Sequence, residues 1–386
     1  MSHSNKRNIS RRDAIHWMGS SLLLPTLVSQ GIIWPAEADS SPSNNFQSWR
    51  NNEQQDFNQY RQEYLRAFNN YRDSLIQQWG KNPEMRSQST WVDYQQDTRR
   101  KLDLDSNTAE VTVIQNPNET MEQIERRARA AMQQMFQQQQ SELLRNDPIL
   151  TALPSAQPAS DQPVADKPVF EHLKPTPGTI QTAKSKPIHL PNGKRAVTLS
   201  IPVSSHLQKK REPYLPLITR YSQQYQLETA LVSAIIQTES YFNPMAESHA
   251  PAYGLMQIVP RYAGLEVNRH LYKKDHRPSP QWLYNPQNNI LAGCTYLHLL
   301  GTRYLKDIRH PESRRHCITA AYNTGHGNMG KAYTRAGLKT AIQQINQQSP
   351  DAVLEHLRKH LPYQETRDYV VKVNRRYQCW KGNGCA

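Results

Sequence analysis

One carboxylate, Glu239, stands at the end of an apolar helical run and is the group best placed for acid–base chemistry. In the stretch YQLETALVSAIIQTESYF, Ile235 and Ile236 precede it by four and three positions. That spacing predicts that Glu239 lies on the buried face of a helix. Pro244 cannot continue the helix and disfavours helical geometry at Asn243, so we expect the helix to end just after Glu239.

Two physical effects favour the protonated carboxyl of a glutamate in this position. Burial disfavours the charged form, and so does the partial negative charge at the C-terminus of a helix. A protonated carboxyl is what a general acid needs. The same residues also allow a structural glutamate, either turned to the surface or paired with an arginine.

The next segment, AYGLMQIVP, offers groups that could contact a sugar. Gly254 permits a close approach of the backbone, and Gln257 carries both a donor and an acceptor, as recognition of an N-acetyl group requires. Gln257 could instead have a structural role and cap a turn. Two tyrosines later in the chain, Tyr322 and Tyr369, are also candidates for the site, and the structural alternative for them is that they are core aromatics with bonded hydroxyl groups.

Two groups of predicted elements must position these residues. Aromatic and apolar side chains recur every three or four positions from Phe57 to Trp79, which predicts one amphipathic helix. Alternation in STWVDYQQDTRRKLDLDSNTAEVTVIQN predicts a small antiparallel sheet, and ETMEQIERRARAAMQQMFQQQQSELL predicts a second helix. From Tyr214 to the end of the sequence the patterning is densely helical.

The fold class predicted from these elements is α+β, with a mainly α-helical C-terminal domain after a small helix–sheet–helix α+β domain. Residues 148–191 contain nine prolines and one glycine, a composition that suits an extended spacer. The predicted division is an export signal at 1–38, an N-terminal accessory domain at 39–147, a Pro-rich linker at 148–191 and a catalytic domain at 192–386.

The beginning of the chain has the layout of an export signal. A basic start carrying the pair Arg11-Arg12 resembles a twin-arginine signal, although the next residues, Asp13-Ala14-Ile15-His16, depart from the usual apolar pattern and leave export through the general route open. An apolar part follows, and the small-x-small sequence Ala36-Glu37-Ala38 ends it. We expect cleavage after Ala38 and a periplasmic, exported protein; the alternative is a membrane anchor. No later segment is apolar enough to predict a transmembrane helix.

The charge of the 386-residue chain points to an anionic partner, since the formal net charge is +14. Export argues against nucleic acid as the partner, and the run KKREP and the scattered arginines are not interleaved with aromatics in a nucleic-acid pattern. The remaining candidates for the anionic partner are an acidic membrane surface and a negatively charged polymer outside the membrane.

Four cysteines lie in the last quarter of the chain: Cys294, Cys317, Cys379 and Cys385. Outside the cytoplasm they could pair in three ways, and the loop between Cys379 and Cys385 could close a small ring. Cys294 and Cys317 lie in apolar helical runs and could equally be buried thiols. None follows the signal where a lipid anchor would require one, and none has the spacing of a zinc site.

Four motifs occur in the order ESYFNP, GLMQ, AAYN and ETRDYV. In this order and spacing, over roughly residues 205–380, the chain resembles the lytic murein transglycosylases with a lysozyme-like catalytic domain. The N-terminal helix–sheet–helix segment is also similar to the accessory domain of a membrane-bound member of that family.

The resemblance implies cleavage between N-acetylmuramic acid and N-acetylglucosamine without water. Glu239 would protonate the glycosidic oxygen and then, as a carboxylate, take the proton of the muramic 6-hydroxyl as it attacks the anomeric carbon, giving a 1,6-anhydro end. The resemblance implies supporting roles for five more residues. Ser240 would orient the carboxyl or bind substrate, Gln257 and Asn323 would hold sugar groups, and Tyr322 and Tyr369 would lie beside Glu239.

The implied partner is the glycan strand of peptidoglycan, with other cell-wall enzymes left open, and no cofactor and no metal are expected. Most glycosidases need two carboxylates, whereas the chain near Glu239 offers only Glu247, at no defined separation. An attacking hydroxyl on the substrate makes a second carboxylate unnecessary. Two alternatives remain, a muramidase that uses water and a non-catalytic wall-binding protein.

Overall fold

The computed structural model describes residues 42–153, 168–248 and 251–382, with side chains described from residue 59 onward. The predicted export signal at 1–38, the side chain of Phe57 and Cys385 lie outside the described residues.

A long helix, α1 (Pro42–Trp79), opens the described part of the chain. The predicted apolar stripe is its packing face, because Tyr64, Leu75 and Trp79 are buried. Tyr60 and Phe68 pack at the edge of the core that contains Tyr64, whereas Leu75 and Trp79 belong to a smaller apolar cluster beside it. The prediction of one amphipathic helix over this stretch is confirmed wherever its side chains are described.

The sheet is antiparallel and has five strands in the order β1-β2-β3-β5-β4. The strands are β1 (Thr90–Gln95), β2 (Thr98–Asp103), β3 (Thr108–Ile114), β4 (Ser185–His189) and β5 (Arg195–Pro202). Val111 lies opposite Leu199 and Val113 opposite Val197, and all four side chains are buried. This apolar face of the sheet is covered by helix α2 (Met121–Met135), which begins with a capping box at Thr120.

The Pro-rich segment at 148–191 is folded where it is described, so the expectation of an extended spacer is wrong for residues 148–153 and 168–191. A short helix α3 (Gln140–Arg145) precedes it, and the segment contains a 3₁₀ turn (Glu171–Leu173), helix α4 (Pro177–Thr182) and strand β4.

Apolar residues between the prolines are buried, among them Ile149, Phe170 and Ile180. Proline content alone does not measure the apolar surface that a segment can bury. Pro187 is tolerated in β4 because this strand is at the edge of the sheet. The sheet therefore runs across the predicted boundary at 191/192.

The C-terminal part is helical. Its α-helices are α5 (Leu207–Arg211), α6 (Leu215–Gln224), α7 (Thr229–Ser240), α8 (Leu265–Tyr272), α9 (Pro280–Tyr284), α10 (Pro286–Leu299), α11 (Pro311–Thr324), α12 (His326–Lys331), α13 (Leu338–Ile345), α14 (Pro350–His360) and α15 (Gln364–Lys381). A 3₁₀ turn (Glu212–Tyr214) joins α5 to α6, and two π-helical segments, Pro260–Gly264 and Leu300–Tyr304, precede α8 and follow α10. The α+β class predicted from the sequence is confirmed.

Helix α7 is the centre of the helical part. Nine of its residues are buried, and it packs against α6 and along α15. One continuous apolar core runs from the sheet and α2 into these helices. None of the helices in the described residues has an apolar stretch long enough to cross a membrane.

The cysteines in the described residues differ in state. Cys294 and Cys317 are buried free thiols, which is one of the two outcomes that the sequence allowed. Burial raises the pKa of both thiols. Cys379 is disulfide-bonded.

The N-terminal elements contact the helical part through buried polar groups. Tyr64 of α1 donates a hydrogen bond to Glu247 Oε1 at 2.8 Å, and the Tyr60 and Tyr253 hydroxyls are 2.8 Å apart. Arg86 forms an ion pair with Asp147, and its Nη1 lies 3.9 Å from Glu247 Oε2. This set of contacts joins α1 and the loop before β1 to the chain segment that follows α7.

The Glu247 carboxyl has a raised pKa. Burial is the largest cause, the charge of Asp147 adds to it, and Arg86 opposes it, leaving a pKa of about 7. Two carboxylates share one guanidinium here, so ionising the second one leaves a net negative charge in the core.

Leu199→Ala tests whether β5 is packed in the five-stranded sheet as described. The side chain is fully buried between Val111 of β3 and Ser185 of β4. We expect the free energy of unfolding to fall by about 2–5 kcal/mol, because truncation leaves a cavity in the sheet core. Chemical denaturation measures it, with the exposed neighbour Ser200→Ala as control; equal effects of the two substitutions would contradict the packing described.

Glu247→Gln tests the buried charge cluster. Between about pH 4.5 and 7 the folded protein holds this proton while an unfolded glutamate has lost it, so unfolding free energy falls as pH rises through that window. We expect the wild type to lose roughly 1–3 kcal/mol relative to the variant across it. Denaturation at several pH values measures this, with exposed Glu122→Gln as control; parallel curves for wild type and Glu247→Gln would refute the cluster's role.

Candidate active site

Glu239 lies in the last turn of α7, which ends at Ser240 as the sequence predicted. The next residue, Tyr241, adopts a left-handed conformation with φ 52°, and Asn243 Oδ1 accepts a hydrogen bond from the backbone N–H of Met245 at 3.0 Å. The Glu239 side chain is on the buried face, with 1% of its surface exposed. Local signals therefore placed this carboxyl correctly in the fold.

Tyr369 of α15 contacts the carboxyl directly. Its hydroxyl donates a hydrogen bond to Glu239 Oε1 at 2.8 Å, and both side chains are buried. Two further side chains of α15 fix the same end of α7: Arg376 donates to the carbonyl oxygen of Gln237 at 2.9 Å, and Trp380 donates to its side-chain oxygen at 3.0 Å. Helix α15 thus holds the carboxyl in one orientation.

Ser240 joins the end of α7 to the segment Gly254–Gln257. Its hydroxyl oxygen is 2.7 Å from the carbonyl oxygen of Leu255 and 3.1 Å from that of Ile236. Both contacts are with the backbone, so Ser240 anchors this segment next to the acid-bearing turn.

The segment approaches α10 so closely that only glycine fits at position 254. Gly254 has φ 75°, and a Cβ atom there would lie 2.5 Å from Asn289 Nδ2 and 2.6 Å from the carbonyl oxygen of Leu283. Asn289 accepts a hydrogen bond from the Met256 N–H at 2.7 Å and donates to the carbonyl oxygens of Tyr253 at 2.7 Å and Leu283 at 2.6 Å.

Asn289 was not among the residues predicted from the sequence. A partial signal was present, because Asn285-Pro286 has the form of a helix start and Asn285 caps α10. That signal places a helix but does not say which segment the asparagine one turn later will contact.

Gln257 closes the same turn with its side chain. Its amide nitrogen donates to the carbonyl oxygens of Ala246 at 2.9 Å and Gly254 at 3.0 Å, and its backbone has φ 48°. These contacts match the structural alternative weighed for Gln257. The residue also lines the groove described next.

A groove of about 720 Å³ lies beside this segment and is lined by Gln257, Tyr322 and Asn323 among other residues. The Tyr322 hydroxyl donates to the carbonyl oxygen of Met256 at 2.8 Å. Asn323 is buried near the end of α11, which stops at Gly325 with φ 85°. Ser240 and Tyr322 thus bond consecutive carbonyl groups, those of Leu255 and Met256.

The structure therefore brings the six predicted residues into two adjacent groups. Glu239 and Tyr369 bond each other, and Gln257, Tyr322 and Asn323 line the groove. Ser240 is the link, since it follows Glu239 in the chain and holds the segment that Tyr322 also contacts.

The groove also contains residues that the sequence reasoning missed. Cationic side chains line one part of it, namely Arg261, Arg269, Lys273 and Arg303. Tyr304 stacks on His326 with ring centroids 3.9 Å apart, and its hydroxyl donates to Glu266 Oε1 at 2.7 Å. The run RYAGLEVNRHLYKK, rich in basic and aromatic residues, was the available signal.

Comparison with protein families gives a match over residues 216–345 to the transglycosylase SLT domain. Membrane-bound lytic murein transglycosylase C of Haemophilus influenzae is 40% identical over 187 residues, which cover 48% of this chain and 52% of that protein. The protein of the same name from Sodalis glossinidius is 41% identical over 179 residues, covering 46% and 49%. The chain spans about half the length of these curated relatives.

Among solved structures, similarity is found to the lytic transglycosylase Slt of Pseudomonas aeruginosa, with 25% identity, a TM-score of 0.34, and coverage of 44% of this chain and 24% of that one. The 70 kDa soluble lytic transglycosylase of Escherichia coli gives 25% identity and a TM-score of 0.35, with coverage of 46% and 26%. The sequence match extends from α6 to α13 and includes the end of α7, the segment 254–257 and the groove. Over residues 216–345, about a third of its length, this chain is similar to the transglycosylase SLT domain.

Proposed function

We propose that the protein is a peptidoglycan lytic transglycosylase that cleaves the bond between N-acetylmuramic acid and N-acetylglucosamine with Glu239 as its single acid and base. The observation that carries the proposal is the buried Glu239 carboxyl, held by the Tyr369 hydroxyl at the end of α7 and joined through Ser240 to a groove-lining segment. The relatives named lytic murein transglycosylase and the SLT domain support the same chemistry.

In the first step the Glu239 carboxyl gives its proton to the glycosidic oxygen, and the bond from this oxygen to the anomeric carbon breaks. In the second step the oxygen of the muramic 6-hydroxyl forms a bond to the anomeric carbon, and the Glu239 carboxylate takes the proton of that hydroxyl. The carboxyl is then protonated again, the product has a 1,6-anhydro end, and no water is consumed. Tyr369 would stabilise the carboxylate between the two steps, because hydrogen bonds to a charged acceptor are the stronger ones.

The contacts of Glu247 support a single-carboxylate mechanism. A hydrolase of the usual kind places two carboxylates on either side of the scissile bond. Glu247 instead receives the Tyr64 hydroxyl and faces Arg86, in the buried contact with the N-terminal elements. It thus has a structural role that accounts for its burial, and an attacking hydroxyl on the substrate needs no second carboxylate.

The proposed place of action is the periplasm, after export directed by residues 1–38, and the proposed partner is the glycan strand of the wall. The formal charge of the whole chain is +14, and removal of residues 1–38, which carry four basic and two acidic residues, leaves +12. A basic protein suits a cell wall that carries carboxylates.

Product analysis with Glu239→Gln tests the function. Purified wall is digested with each protein, and the released fragments are examined by mass spectrometry. We expect 1,6-anhydro muramic ends from the wild type and a loss of rate of roughly 10²-fold or more in the variant, because glutamine cannot transfer the proton.

The amide keeps the shape of the side chain and still accepts the Tyr369 hydrogen bond, so thermal unfolding should change little and serves as the control. Reducing muramic ends from the wild type would make the protein a muramidase. Equal release by both proteins, or by neither, would refute Glu239 as acid and base.

Tyr369→Phe tests the hydroxyl that holds the carboxyl. We expect kcat to fall by roughly 10- to 100-fold with a smaller change in KM, because the lost hydrogen bond orients a reacting group more than it binds sugar. The control is Tyr363→Phe, at the start of the same helix and outside the groove lining. Unchanged kcat in Tyr369→Phe would show that the hydroxyl is structural.

A further inference from the structure

The charged residues that line the groove are mostly cations. Four of them have a permanent positive charge and are here called the cationic wall: Arg261, Arg269, Lys273 and Arg303. The lining contains a single acidic residue, Glu266. The Glu266 carboxylate accepts the Tyr304 hydroxyl, and Arg269 pairs with Asp275 outside the lining. Binding of neutral sugars does not require this excess of positive charge, which indicates that the ligand of the groove carries negative charge.

Two members of the cationic wall are available to a ligand. Arg303 and Lys273 are exposed, and among the described residues no carboxylate lies within ion-pair distance of either. The Arg303 guanidinium lies 5.4 Å from the ring centroid of Tyr304, and Lys273 Nζ donates to the backbone oxygen of His270 at 3.0 Å. Both contacts leave donors free to meet an anion.

The two histidines of the groove, His270 and His326, both have a lowered pKa. Burial lowers the pKa of His270, and the charges of Lys273, His298 and Arg303 lower it further. Burial likewise lowers the pKa of His326. The charge of Glu266 opposes this shift and has a larger effect than Arg303, which acts in the same direction as burial. The positive charges therefore dominate at His270 on α8, whereas at His326 on α12 the charge of Glu266 outweighs that of Arg303.

Aromatic surfaces stand beside these cations. Tyr262 is 42% exposed, with the Arg261 guanidinium 5.5 Å from its ring centroid. The Tyr304 ring is fixed by His326 and Glu266. Rings next to cations suit a ligand with both sugar faces and carboxylates.

We propose that the cationic wall binds the carboxylates of the peptide stems attached to the glycan, so that the preferred substrate is peptide-substituted rather than bare glycan. This proposal rests on the proposed function, because that function makes the glycan of the bacterial cell wall the ligand of the groove. The stems supply several carboxylates for each muramic residue, whereas bare glycan has one, on the lactyl group. Arg303 and Lys273 would act in substrate selection and take no part in the chemical step.

Binding to defined strands tests the proposal with the full chain carrying Glu239→Gln, which keeps the ligand intact. Three ligands are compared at low salt: strands with peptide stems, strands stripped of peptides by an amidase, and neutral N-acetylglucosamine oligomers. The cationic wall is changed by Arg303→Gln together with Lys273→Gln. The matched control is Arg126→Gln on α2, whose exposed side chain pairs with Glu122 far along the chain from the groove residues.

We expect peptide-bearing strands to bind roughly three- to tenfold more tightly than stripped strands, with the difference falling as salt is added. The double variant should remove this difference and leave the Kd for neutral oligomers unchanged, while Arg126→Gln should change neither. Equal binding of peptide-bearing and stripped strands, with both weakened by the double variant, would show that the cationic wall binds glycan strands without selecting for stem carboxylates and would overturn the proposal. An unchanged preference in the double variant would also overturn it.

The two proposals fail separately. Loss of the peptide preference leaves the 1,6-anhydro products of the wild type untouched. Products with reducing ends would change the reaction assigned to Glu239 without changing which strands bind.

Discussion

The geometry of the site depends on one buried side-chain amide, that of Asn289. It satisfies the Met256 N–H and the carbonyl oxygens of Tyr253 and Leu283, all out of contact with water. Removing it would leave the Met256 N–H and the Leu283 carbonyl oxygen without these partners in a buried place, a cost on the order of 1–3 kcal/mol for each group. The Tyr253 carbonyl oxygen would keep the hydrogen bond from the Ile258 N–H at 3.1 Å. The amide thereby fixes the backbone whose next carbonyl groups receive Ser240 and Tyr322.

The same chain segment is held from its other side by the N-terminal elements. The Tyr64 hydroxyl bonds Glu247, and the Tyr60 hydroxyl bonds that of Tyr253, the residue whose carbonyl oxygen also accepts a hydrogen bond from the Asn289 amide. Gln140 of α3 reaches the carbonyl oxygen of Tyr284 at 2.6 Å, next to the start of α10. The residues around the groove are thus supported by parts of the chain that lie outside the matched SLT domain.

What the sequence could predict depended on how far apart the interacting residues are. The end of α7 and the burial of Glu239 follow from signals within ten residues, namely the apolar spacing and Pro244. Tyr369 came from the family motif, since no local pattern ties it to a carboxyl 130 positions earlier. Asn289, the Tyr64–Glu247 contact and the pairing of β3 with β5 are long-range, and composition misdirected the reading of 148–191 because scattered apolar residues there find partners in distant strands.

The five-stranded sheet has a consequence for how the chain can be divided. Strands β1 to β3 come before residue 154 and strands β4 and β5 come after residue 167, yet β3 pairs with β5 along its whole length. A single cut between these positions would give two fragments, neither with a complete sheet, and the larger would expose the apolar face of β5. The two pieces would be expected to reassociate and fold by complementation, as halves of one cooperative unit rather than as an enzyme and a detachable module.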